Sequence, residues 1–299
     1  MQPSIPTKEP DDEFTLGYYI VCLVDLLGQA DHLDAWSELP PDGVLTEDQI
    51  AAVEKTLGNV LRFQSLFEGF FEAFAAPFIP NEEFMKLPPA SQERFLRHKD
   101  HELATQQFSD TFIFYAPIQS RHGDLTARPL YQMLGAAATA MLRGLATKCP
   151  IRGAITVGTG TEIAPGRFYG PALADAHGLE SKVVGSPRVV VSSKALEFCN
   201  RKSGFSKDPL IEKVSAAYHP SLTRLIATDS DGLSIVDFMG EHIYSMSGDV
   251  SGSMEAASDA YAFATSEASR FAKGSNSKLA SRYKHLVNYM DSRRAIWGI

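Results

Sequence analysis

The sequence predicts a mixed α+β protein, an antiparallel-containing sheet with helices laid against one face. Three observations carry that expectation. Tyr18 to Val24 is an unbroken apolar and aromatic run, rich in β-branched residues and as long as a buried central strand. Ala104 to Phe108 and Thr111 to Tyr115 flank a two-residue Ser-Asp turn, the pattern of a β-hairpin. Helical segments separate the strand-like runs in the order β-α-(α)-β-β-α-β-β-α-β, with no internal repeat.

In chain order, residues 1–14 are polar, proline-rich and acidic, which predicts a flexible arm and is wrong for a signal peptide. The first strand, about Leu16 to Val24, delivers the acid Asp25 and turns through Leu26, Leu27 and Gly28 toward a helix start near Gln29. His32 to Glu47, with Pro40, Pro41 and Gly43, reads as an inserted loop. Thr46 is placed to cap a long helix reaching about Ala75, with Glu47 and Asp48 in its first turn. Leu57, Leu61, Phe63, Leu66, Phe67, Phe70, Phe71 and Phe74 recur there at spacings of three and four, predicting a packed face. A second helix is expected from Ser91 to Glu102.

After the hairpin comes a helix over Arg128 to Thr147, rich in Ala, Leu and Met. Ile151 to Val157 and a strand ending near Tyr169 form a second expected hairpin. Its connection is Gly158 to Gly166, with Gly158-Thr159-Gly160 as turn chemistry. Pro171 to Glu180 reads as a helix and Arg188 to Ser192 as a short buried strand. The next section is poorly legible until strand signals at Thr223 to Thr228 and Leu233 to Phe238. Two amphipathic helices, Ser253 to about Lys273 and Ser277 to about Ile296, end the chain.

Composition narrows the function classes. The chain has 299 residues, enough for a sizeable core in one or two domains. Its net charge of −8 argues against a general nucleic-acid or anionic-membrane surface, while leaving room for a nucleotide site in which cations offset the phosphates. Cys22, Cys149 and Cys199 show no paired spacing, so neither a disulfide framework nor a zinc site is indicated. The most apolar helical stretch, MLGAAATAMLRGLA, is short and interrupted by Arg143, so no membrane span is expected and a reduced cytoplasmic setting is the default.

The chemistry concentrates on two acids. If the first strand and the hairpin are neighbours, Asp25 and Asp110 project from adjacent strand ends. Neither has a lysine or arginine immediately beside it, so the pair would repel unless a cation lay between. Hard divalent ions, Mg²⁺ or Mn²⁺, prefer such oxygen ligands and keep sites for phosphate. The amides from Leu27 to Ala30 would then face phosphates at a helix start. Phosphoryl or nucleotidyl transfer is the chemistry that fits two such ions.

With PIRGAITVGTGTEIAPGRFYGPALADAHGLES and GSPRVVVSSKA added to VDLLG and FSDTFIFY, the chain resembles the class III nucleotidyl cyclases. It is most similar to the bacterial pyrimidine cyclases of the Pycsar antiphage system, over about residues 18–195 and more weakly through DGLSIVDF. The resemblance implies a ferredoxin-like palm, with a catalytic domain over 15–245 and a C-terminal helical extension, 246–299, packed on it. It also implies Asp25 and Asp110 as ligands of two Mn²⁺ or Mg²⁺ ions, the Leu26 carbonyl as a further ligand, and Leu27, Gly28 and Gln29 around the phosphates. Family members are homodimers with active sites between catalytic domains. The pyrimidine branch makes cyclic UMP or cyclic CMP, read by a cyclic-nucleotide-sensing effector.

The departures bear on the base. Gln106 and Arg167 stand where purine cyclases read theirs, and Leu23 is placed to shape the pocket. Ala174 and Gly178 replace the Asn and Arg that purine cyclases carry on the following helix, which leaves Arg152 and Lys182 as candidates for transition-state charge. Arg167 offers donors to the two carbonyls of uracil, so UTP is favoured over CTP. A purine cyclase and a degenerate nucleotide-binding domain remain as alternatives. A diguanylate cyclase fits poorly, because the hairpin reads FSDTF and not GGDEF.

Overall fold

The computed structural model describes residues 16–29, 43–74, 102–120, 123–247, 252–274 and 276–299, with isolated positions between them. The expected arm, the inserted loop and the helix from Ser91 to Glu102 fall wholly or mostly outside the described residues.

The first strand, β1 (Gly17–Leu26), is followed by α1 (Glu47–Ala73), β2 (Ala104–Phe108), β3 (Thr111–Pro117), α2 (Arg128–Ala146) and β4 (Ile151–Ala164). Then come β5 (Arg167–Tyr169), α3 (Pro171–Lys182), β6 (Val189–Val191), α4 (Ser193–Cys199), α5 (Pro209–Ala217) and α6 (His219–Arg224). The chain ends with β7 (Ile226–Thr228), β8 (Ser234–Val236), α7 (Glu241–Ser247), α8 (Ser253–Lys273), α9 (Ser277–Asp291) and α10 (Arg294–Trp297). The fold is α+β: an eight-stranded sheet in the order β2-β3-β1-β4-β6-β8-β7, with β5 added to β4. Among the described residues only β4 and β6 pair in parallel.

β1 pairs with β3 on one side and β4 on the other, so it is an interior strand. That explains its continuous apolar run, since alternate residues enter two different cores. Ile20, Cys22, Val24 and Leu26 join Phe112 and Phe114 against α1 and α2. Val21 and Leu23 join Ile113 and Tyr115 against Phe168 of β5 and Ala172 and Ala176 of α3. Helices therefore cover both faces and not one. The physical reason is that α3 has its own small-residue stripe, Ala172 and Ala176, four apart, which can sit flat on the second face.

α1 begins where expected. Thr46 Oγ1 accepts the Gln49 amide at 3.2 Å and Gln49 Oε1 accepts the Thr46 amide at 3.0 Å, a reciprocal cap. Phe67 stacks on Phe114 with centroids 3.8 Å apart. The buried stripe is Ala52, Thr56, Val60, Phe63, Phe67 and Phe71, whereas Leu57, Leu61 and Leu66 are exposed. At about 100° per residue the phenylalanines fix the inward phase, and Leu57 lies roughly a quarter-turn and Leu61 roughly a third of a turn away from it.

The second hairpin also differs from expectation. Gly158-Thr159-Gly160 is strand, because β1 extends alongside it with Gly17 opposite Gly160 and Tyr19 opposite Gly158. Gly160 is small for a packing reason: an added Cβ would lie 2.2 Å from the Phe168 ring. The turn itself shrinks to Pro165 and Gly166.

α8 packs on α2 and on α9, and α9 is tied to the sheet side of the molecule by buried polar contacts. Tyr289 Oη donates to Asp237 Oδ1 at 2.6 Å, and Trp297 Nε1 donates to the Met239 carbonyl at 2.9 Å. The region from Ser193 to Arg224, unreadable in sequence, is three short helices. Among the described residues no helix is long and apolar enough to cross a membrane.

Candidate functional site

Three antiparallel strands set the site in rows. Asp25 on β1 stands opposite Thr111 on β3 and Arg152 on β4. Two residues earlier, Leu23 stands opposite Ile113 and Ala154, and Ile113 opposite Gln106 on β2. Because side chains alternate, both rows share the face covered by α3.

Both Asp25 oxygens are engaged. Oδ1 accepts from Thr111 Oγ1 and Oδ2 from Arg152 Nη2, each at 3.0 Å. Asp110 sits in the β2–β3 turn beside Ser109, whose φ of 57° gives the left-handed backbone that a two-residue hairpin turn uses. The Asp110 carbonyl accepts the Leu26 amide at 3.1 Å, which ties the turn to the end of β1. Burial lifts the Asp25 carboxyl above its ordinary range, and the Asp110 charge adds to that; the Thr111 hydrogen bond and the Arg152 guanidinium oppose it without cancelling it.

No lysine or arginine neighbours Asp25 in sequence, but the fold brings one to it. Arg152 is 127 positions away, but the β1–β4 register sets it directly across the ladder. Its Nε also lies 2.6 Å from Glu180 Oε1 on α3. Glu180 is only 5% exposed, and burial lifts its carboxyl, with Arg152 pulling the other way. Sequence reasoning missed Glu180. Its signal was phase: Ala172, Ala176 and Glu180 are four apart on the inward stripe of α3, so an acid there needs a buried partner.

The remaining expected residues divide. Leu27 is half-buried and its amide is spent on the Pro150 carbonyl at 2.8 Å, so it does not face a phosphate. Gly28 is exposed, with φ of 83° and open space where a Cβ would be. Gln29 turns inward, 5% exposed, its Nε2 4.0 Å from Cys149 Sγ, and so leaves the site. Ala30 lies outside the described residues. Gln106 Oε1 accepts the Phe168 amide at 2.9 Å, which spends its acceptor on β5 and leaves its NH₂ group. Arg167, next to Phe168, is exposed, as is Lys182 in the last turn of α3. Leu23 is buried under α3 at 2% exposure.

Asp25 and Asp110 are the carboxylates at the β1 end, next to Leu26, and Asp25 feels the charge of Asp110; carboxylate oxygens are the hard donors that a divalent ion takes. A second acidic group was not anticipated. Asp229, Asp231 and His285 bring three potential ligand atoms within 4.8 Å of one another. A guanidinium already serves that group: Arg188 donates to Asp229 Oδ2 at 2.7 Å and to Asp231 Oδ2 at 2.6 Å.

The strands can approach closely because residue 153 is glycine. An added Cβ there would lie 2.5 Å from the Leu23 carbonyl, a backbone atom with no freedom to yield. Gly153→Ala is expected to cost about 1–3 kcal/mol by forcing β1 and β4 apart. Urea unfolding reads the cost, and an unchanged midpoint would contradict it.

No protein-family model matches the chain, and no curated protein matches it either.

Proposed function

We propose that the chain is a metal-dependent pyrimidine nucleotide cyclase that converts UTP to 3′,5′-cyclic UMP and pyrophosphate. The observation that carries this reading is the convergence of Asp25 and Asp110 at the joined ends of β1 and the β2–β3 hairpin. The cyclase-like run of motifs supports it, and so does the antiparallel β2–β3–β1–β4 order.

In this reading Asp25, Asp110 and the Leu26 carbonyl hold Mn²⁺ or Mg²⁺. The bound ions supply charge that makes the ribose 3′-hydroxyl a better nucleophile and stabilises departing pyrophosphate. Thr111 orients Asp25 through its hydroxyl. Gly28 lets the chain turn with no side chain in the way of an approaching phosphate. The Gln106 NH₂ group and the Arg167 guanidinium are the donors that a base with two carbonyls calls for. Arg152 pairs with Asp25 and, in place of the absent Asn and Arg at Ala174 and Gly178, is the residue for developing phosphate charge. Exposed Phe108 and Tyr169, at 80% and 69%, flank Gln106 and Arg167 in sequence and suit a site completed by a second copy in a homodimer.

Purified protein incubated with Mn²⁺ and each of the four ribonucleoside triphosphates is expected to yield cyclic UMP and pyrophosphate from UTP, read by chromatography and mass spectrometry. Cyclic CMP as the main product would move the substrate to CTP. A purely purine product, or none, would overturn the reading.

A further inference from the structure

Arg152 lies between two carboxylates and pairs with both. Its Nη2 makes a 3.0 Å hydrogen bond to Asp25 Oδ2. On its other side Nε is 2.6 Å from Glu180 Oε1, so one guanidinium bridges the two carboxylates. The Glu180 side chain is 7% exposed, against 28% for Arg152. A buried carboxylate already paired with an arginine can hold that arginine when its other partner is lost.

A divalent ion on the Asp25 carboxylate would stand close to the guanidinium that occupies Oδ2, and the two cations repel. Arg152 would then loosen from Asp25. Retreat toward solvent would strand Glu180 as a buried, unpaired charge. Staying on Glu180 keeps an ion pair that is already made.

We infer that Glu180 is a positioning residue: it holds the Arg152 guanidinium when a divalent cation takes Asp25, so that Arg152 is the counter-ion of Asp25 in the metal-free state and, released from Asp25 by metal, stays beside the site for phosphate charge. This rests on the metal reading of Asp25 and Asp110. The acid on α3 thereby links the helix layer to the strand row that carries the proposed chemistry, and it does so without touching the metal.

The test is Mn²⁺ binding to the full chain without nucleotide, read as free Mn²⁺ by electron paramagnetic resonance, with thermal unfolding as a check on folding. Glu180→Gln keeps the shape and removes the charge that draws Arg152 away. It is expected to weaken Mn²⁺ binding about 10- to 100-fold, the scale on which residues behind metal ligands act. Adding Arg152→Met to Glu180→Gln is expected to restore binding, since the competing cation is then gone. Unchanged binding in Glu180→Gln, or no rescue in the double variant, would overturn the inference. Should Glu180→Gln not fold, Arg152→Met alone must bind Mn²⁺ at least as tightly as the parent, and weaker binding would overturn it. Asp110→Ala separates the two claims. If it loses Mn²⁺ while Glu180→Gln does not, only the role of Glu180 falls; if the parent binds no Mn²⁺, or Asp110→Ala binds like the parent, the metal reading falls and this inference with it.

Discussion

Asp110→Ala is expected to lower conversion of UTP by about 10³-fold or more, the scale of removing a preorganised charge-stabilising group, while leaving the fold intact. The fold should survive because the contribution of residue 110 to packing is a main-chain one. Its carbonyl holds the Leu26 amide, and alanine keeps that bond. The left-handed position in the turn is Ser109, so alanine at 110 meets no backbone strain. Stability should stay level or rise slightly, since the variant relieves the charge that Asp110 imposes on Asp25. Product formation with Mn²⁺ and circular dichroism read the two halves separately. Retained turnover in a folded variant would remove Asp110 from the metal site; lost turnover together with lost secondary structure would instead make it a structural residue.

The second large effect is on stability. Arg188→Met is expected to cost about 3–5 kcal/mol in urea unfolding, the range for removing one partner of a buried ion pair. Arg188 is 6% exposed and Asp229 8% exposed, so the Asp229 carboxylate would be left buried with its main counter-ion gone. His285 Nε2, 2.8 Å from Asp229 Oδ2, remains as a hydrogen-bond partner and limits the loss. The group joins the start of β6, the β7–β8 turn and α9, so the variant should loosen the C-terminal helices first.

Its pH dependence has a definite sign. Burial alone would raise the Asp231 carboxyl, but hydrogen bonds from Arg188 and the Leu233 amide hold it below the ordinary range. A depressed folded pKa stabilises above the unfolded value, near 3.9, and that stability is lost as pH falls through the folded pKa. The parent should therefore lose stability below about pH 4 through Asp231, and Arg188→Met should lose less there because much of the depression is already gone. Equal acid sensitivity in both proteins would contradict the role assigned to Arg188.

Several features were legible because local physics decides them. The apolar run of β1 announces an interior strand, Thr46 followed by Gln49 announces a helix start, and the Ser-Asp turn announces a hairpin. The short helices α4 to α6 were not legible, because six to nine residues show too little period to stand above a loop. The leucines of α1 misled because hydrophobicity alone does not set phase; the contact with Phe112 and Phe114 does.

For the site, the sequence by itself determined that an acid ends a buried strand and that a second acid occupies a hairpin turn. Both follow from residue type and short-range pattern. Only the tertiary structure decided what surrounds Asp25. Its cation, Arg152, is 127 positions away, and the acid behind that cation, Glu180, lies on a helix whose inward phase depends on the sheet beneath it. Strand register is set by which residues can be buried on each face, and a shift of one residue would turn Arg152 to the opposite side. Such a pairing is a property of the whole sheet, and no local run of residues carries it.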